Sequence, residues 1–79
     1  MAKFAKLFEL ENGEQVLVIK NYNVLKDKYE ITYRTDIGGC TFETTFSHFS
    51  LKEANKVLET YTEKQALMFR TELIKMIEE

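Results

Sequence analysis

Between Phe4 and Lys20 the chain reads F-A-K-L-F-E-L-E-N-G-E-Q-V-L-V-I-K, two strand-like runs whose apolar residues fall on both parities. Asn12-Gly13 separates the runs, and this dipeptide readily accepts the positive φ angles of a type I′ turn. A two-residue loop there sets Phe8 opposite Leu17 and Leu7 opposite Val18. Side chains alternate across a strand, so Phe4, Phe8, Leu10, Leu17 and Ile19 are expected on one face and Ala5, Leu7, Val16 and Val18 on the other. Both faces of this hairpin therefore call for cover.

The pattern changes further along. N-Y-N-V-L-K-D-K, from Asn21 to Lys28, has no clear period and reads as a loop. From Tyr29 to Asp36 the alternation is strict: Tyr29, Ile31 and Tyr33 point one way, Glu30, Thr32 and Arg34 the other, as in a strand wet on one face. Gly38-Gly39 is a turn signal. A two-residue loop at these glycines pairs Tyr33 with Thr44, Ile31 with Phe46 and Arg34 with Glu43, the last an attractive pair on the wet face; a four-residue loop from Asp36 to Gly39 is the alternative and keeps the same faces. Cys40, Phe42 and Phe46 then share the apolar side, while Thr41, Glu43 and Thr45 share the polar side.

Helix is predicted from Ser50, because S-L-K-E has the capping-box spacing of serine and glutamate. Leu51, Ala54, Val57, Leu58 and Tyr61 follow at helical spacing. A second cap signal, T-E-K-Q from Thr62 to Gln65, predicts a break near residue 61. A broad apolar stripe then runs from Ala66 to Ile77 on helix-forming residues. One longer, bent helix is the alternative. The whole reads as a single α+β domain over residues 1–79: a four-stranded antiparallel meander of two hairpins followed by one bent or two C-terminal helices packed on one face.

Composition narrows the function classes. At 79 residues the core is small, so oligomerisation is an expected source of added stability. Charges are evenly mixed: residues 1–49 hold six basic and seven acidic side chains, and residues 50–79 five and six. Neither half makes a one-signed field, and lysine outnumbers arginine nine to two, which argues against a nucleic-acid groove. No apolar run approaches the roughly 20 residues of a membrane span. The N-terminal residues do not read as a signal peptide, and a single cysteine excludes an internal disulfide, so a cytoplasmic location is expected.

Candidate chemistry is sparse. Cys40 and His48 on one strand would stand roughly 26 Å apart, too far for a nucleophile and its base. Cys40 is better read as a small buried hydrophobe and His48 as a histidine at the strand-to-helix junction. Glu9, Glu11 and Glu14 surround the first turn but fall short of the six to eight oxygens a calcium ion takes. No glycine-rich phosphate loop opens a helix. Neither an enzyme nor a metal, cofactor or small-molecule site is expected.

Eight of the ten aromatic residues lie in the sheet half, and a sheet displaying aromatics can stack bases. Four antiparallel strands followed by helix is also similar in element order to the PUR and Whirly families of single-stranded nucleic-acid binding proteins. The order of elements alone carries that likeness; no motif of either family is present. The same aromatic face is the natural seat of the helices.

The surplus apolar face of the first hairpin has three possible covers: helices on both sides, the Asn21–Lys28 loop folded over it, or another protein, a second copy included. The smaller set, Leu7, Val16 and Val18 with Ala5 at its margin, is the expected interaction surface. The bulkier set suits the aromatic core. The function expected is that of a small non-enzymatic interaction module, an accessory or regulatory protein of the kind phages and mobile elements encode, which modulates a larger partner or self-associates. Single-stranded nucleic-acid binding through the sheet is the alternative.

Overall fold

The computed structural model describes residues 4–78. Strands β1 (Ala5–Glu9), β2 (Gln15–Asn23), β3 (Lys28–Ile37) and β4 (Cys40–Phe49) form one antiparallel sheet in the order β1-β2-β3-β4. Helices α1 (Leu51–Thr60) and α2 (Glu63–Glu78) follow. This is the predicted ββββαα meander, with two helices rather than one bent one.

The helix boundaries follow from local chemistry. The Ser50 hydroxyl accepts from the Glu53 amide at 3.2 Å while the Glu53 carboxylate accepts from the Ser50 amide at 3.1 Å, closing the predicted capping box. The same reciprocal pair recurs at the break, between Thr62 and Gln65, at 2.8 and 3.2 Å. Lys6 reaches from β1 to the other end of α1 and donates to the carbonyls of Leu58 and Tyr61 at 3.3 and 3.1 Å. A cation at a helix C-terminus satisfies free carbonyls and opposes the dipole.

The second hairpin has the predicted register, with Tyr33 opposite Thr44, Ile31 opposite Phe46 and Arg34 opposite Glu43. Gly38 and Gly39 have φ of +59° and +82°, the type I′ geometry that glycine adopts at little cost. An extra residue on β4 opposite Glu30 bulges the strand beyond Phe46.

The first hairpin differs from expectation by one residue. Asn12-Gly13 is not the loop by itself; Glu11, Asn12 and Gly13 form a single 3₁₀ turn, closed by a 2.7 Å bond from the Leu10 amide to the Glu14 carbonyl. A three-residue loop ending in a left-handed glycine, here Gly13 at +76°, is the next commonest hairpin connection. Phe8 therefore faces Val16, and Leu7 faces Leu17. A one-residue slip moves every side chain of one strand to the other face relative to its partner.

Asn21 to Asn23 also depart from the predicted loop. They extend β2, with Tyr22 opposite Tyr29 and Asn23 opposite Lys28, leaving only a short turn over residues 24–27. The Asn23 side chain accepts from the Lys26 amide at 3.1 Å, a local side-chain bond across the turn that supports the reversal without an apolar pattern. This turn prolongs the hairpin and does not fold over the sheet.

The core lies between the sheet and the helices. Val16, Val18 and Ile31 are fully buried with Ala54, Leu58 and Ala66 from the helices, and Leu10 closes one end. The predicted aromatic face lies here. Tyr33 has ring centroids of Tyr61 and Phe69 at 5.2 and 5.7 Å, and Phe8 meets Tyr61 edge-on at 5.5 Å.

Candidate functional site

Among the described residues the side-chain links between helices and sheet leave one side of the sheet: Lys6 to the end of α1, Lys20 Nζ to the Asn55 side chain, and Arg70 to Thr35. The register assigns residues to the other side. Ala5 pairs with Ile19 and Leu7 with Leu17, followed across the sheet by Thr32 and Arg34, then Thr45 and Glu43. Among the described residues, no helix crosses this face.

Its two halves are chemically unlike. On the first hairpin the face carries Ala5, Leu7, Leu17 and Ile19. Leu7 is 52% exposed and the other three are half-buried. On the second hairpin it is polar and self-satisfied: Thr32 and Thr45 share a hydrogen bond of 2.9 Å, Arg34 pairs with Glu43 at 2.8 Å, and Thr41 donates to Asp36 at 2.7 Å. A shallow groove over Leu7, Gln15, Leu17, Arg34, Thr35 and Asp36 runs along the boundary between them.

The predicted interaction surface is thus split. Ala5 and Leu7 lie on the uncovered face. Val16 and Val18 are fully buried under the helices and cannot contact a partner. Their places are taken by Leu17 and Ile19, which the two-residue loop had assigned to the core. The physical cause is the longer turn, which turns β2 over relative to β1. A three-residue reading of Glu11-Asn12-Gly13, with glycine at the left-handed position, was the available signal.

Cys40 is exposed rather than buried, at the start of β4 beside the glycine turn. His48 stacks on Phe49 at 4.5 Å between ring centroids, also on β4. Glu14 is not a free acidic ligand: its carboxylate accepts from Arg70 Nε at 2.8 Å. No group of acidic, histidine or cysteine side chains suited to a metal ion occurs among the described residues. No helix of the described residues is long and apolar enough to cross a membrane.

Arg70 went unnoticed as a core residue, because a lone arginine on a helix reads as solvated. It is 7% exposed and donates from Nη1 to Thr35 Oγ1 at 2.7 Å and to the Asp36 carbonyl, besides Glu14. Thr35 in turn donates to the Gln15 carbonyl at 2.8 Å. This network ties α2 to both hairpins and leaves no buried side-chain polar atom unpaired among the described residues. Spacing held the hint: Ala66 and Arg70 are four apart and face the sheet together.

Tyr61 at the helix break and Tyr33 on β3, which packs against it, have shifted titrations. Burial, and secondarily the nearby Tyr33, pushes the Tyr61 hydroxyl from 10.0 up to about 12. Burial raises Tyr33 as well. Both rings sit on the covered side and have structural roles. The chain matches no protein-family model, no curated protein and no solved structure.

Proposed function

We propose that this domain is a non-enzymatic protein-interaction module whose docking surface is the uncovered face of the first hairpin, Ala5, Leu7, Leu17 and Ile19. The observation that carries the reading is the contrast across one face: four adjacent apolar side chains, one exposed and three half-buried, over which no described helix lies, beside a polar half that satisfies its own hydrogen bonds. A small domain retains such a surface at the risk of aggregation unless something binds it. The role that fits is that of an accessory or regulatory protein modulating a larger partner.

Nucleic-acid stacking has less support on this face. The aromatic residues paired in the core point toward the helices, and the face's Arg34 is already held by Glu43. Comparison of wild-type and Leu17→Asp baits in pull-downs from the native host tests the proposal. A partner retained by the wild type and lost by a folded Leu17→Asp variant supports it; equal retention by both overturns it. A labelled single-stranded oligonucleotide titrated at low salt is expected to show no binding.

A further inference from the structure

The outer edge of β4 is the longest unpaired edge of the sheet, ten residues against the five of β1, and among the described residues no strand lies beyond it. Natural edges are blunted by proline, lysine, brevity or cover. β4 has neither proline nor lysine, and its bulge lies past Phe46, leaving Cys40 to Phe46 regular.

The register determines which backbone groups face outward. In a two-residue hairpin the pair flanking the turn exchanges both hydrogen bonds, and bonded and non-bonded pairs then alternate. Cys40, Phe42 and Thr44 accordingly aim their backbone at β3, while Thr41, Glu43 and Thr45 present N–H and C=O groups to the outside. We infer that this edge binds the β4 edge of a second copy, antiparallel about a two-fold axis centred on Thr44. The sequence is self-complementary in that register. Glu43 lies opposite Thr45 of the second copy as a bonded pair, and Phe42 lies opposite Phe46 as a close, non-bonded pair.

The two neighbouring two-fold registers fit worse. Centring on Glu43 sets two carboxylates directly opposite, which is destabilising. Centring on Thr45 loses both aromatic pairs and pushes the overlap into the bulge. The chosen register also gives Phe46, 45% exposed on the helix side, a further aromatic neighbour besides Tyr33 and His48. The product is a continuous eight-stranded sheet with both helix layers on one side and both uncovered apolar faces on the other. This contact is separate from the docking surface proposed above and makes that surface bivalent.

Charge at position 45 tests the register, because each substitution acts twice across the two-fold. Thr45 is exposed, and either replacement loses the same bond to Thr32, so the two variants can be compared directly. Sedimentation equilibrium of the full chain should give a lower dimer Kd for Thr45→Lys, which faces Glu43 of the other copy, and a higher one for Thr45→Glu. Each change should be roughly 3- to 10-fold. In a mixed-label sample, an intermolecular NOE between the Hα atoms of Phe42 and Phe46 is expected from the close pair. A wild type monomeric up to about 1 mM, a dimer whose Kd does not differ between the two variants, or a dimer lacking that NOE would each overturn the inference. Leu17→Asp should leave the dimer unchanged while abolishing binding to the uncovered face, so the two proposals fail separately.

Discussion

The two hairpins of this sheet have the same helices on one side and solvent on the other, yet they differ in the side they show to water. The second hairpin alternates strictly, so its inner face is apolar and its outer face is a ladder of Thr32–Thr45, Arg34–Glu43 and Asp36–Thr41 pairs. The first is apolar on both sides. Its inner half, Phe8, Val16 and Val18, supplies the core, and its outer half, Ala5, Leu7, Leu17 and Ile19, has no counterpart among the described residues. The contrast teaches that folding alone accounts for one apolar face per strand, and a second one calls for another explanation.

The sharpest way to break this comparison is a pair of adjacent substitutions on β2. Val18→Asp places a carboxylate at a fully buried position and is expected to cost about 4 kcal/mol or more, enough to unfold a domain of this size. Leu17→Asp, one residue away on the uncovered face, should cost no more than about 1 kcal/mol. Urea denaturation followed by circular dichroism checks both. Similar losses would mean that the two sides are not distinct.

Next in size is the tie between the hairpins. Arg70→Met should destabilise by about 2–3 kcal/mol, because Thr35 and the Asp36 carbonyl lose their donor, with Glu14 partly compensated by water. Arg70→Lys should fall between, since an ammonium cannot reproduce the guanidinium fork. A loss below about 0.5 kcal/mol in the same denaturation experiment would show that α2 does not need the network.

Tyr61 touches both hairpins, through Phe8 and Tyr33. Its folded-state value is raised from 10.0 to about 12, so the stabilisation linked to its protonated form is complete below pH 10 and is lost as pH rises toward 12. Thermal melts across that window should show Tm falling with pH. Tyr61→Phe should flatten the decline; an unchanged slope would place the alkaline sensitivity elsewhere. The smallest effect is expected at the polar ladder. Arg34→Ala breaks a pair whose side chains are 42% and 46% exposed, so a loss of a few tenths of a kcal/mol is the most that double-mutant cycles with Glu43 should find.

How far these features were legible depended on the kind of signal. The faces of the second hairpin were readable, because strict alternation and a Gly-Gly turn agree; its residue pairs followed only for a two-residue rather than a four-residue loop. Both helix starts were readable, because capping boxes are local chemistry. The first hairpin was ambiguous because its strands are apolar on both parities, and periodicity then cannot report a one-residue slip. Asn21 to Asn23 looked like loop, since the pairing of Tyr22 with Tyr29 and the Asn23–Lys26 bond beyond it have no periodic signature.

By itself, then, the sequence determined the element order, the faces of the second hairpin, both helix caps and the surplus of apolar residues near the N-terminus. These rest on contacts between residues close in sequence, where spacing and side-chain chemistry suffice. Only the tertiary structure decided which apolar residues are surplus. That outcome rests on a three-residue turn, on Phe8 finding Tyr61, and on Arg70 reaching Glu14 and Thr35 across long separations. Val16 and Val18 went inward and Leu17 and Ile19 outward because the packing of distant elements, rather than local pattern, chose between two nearly equal faces.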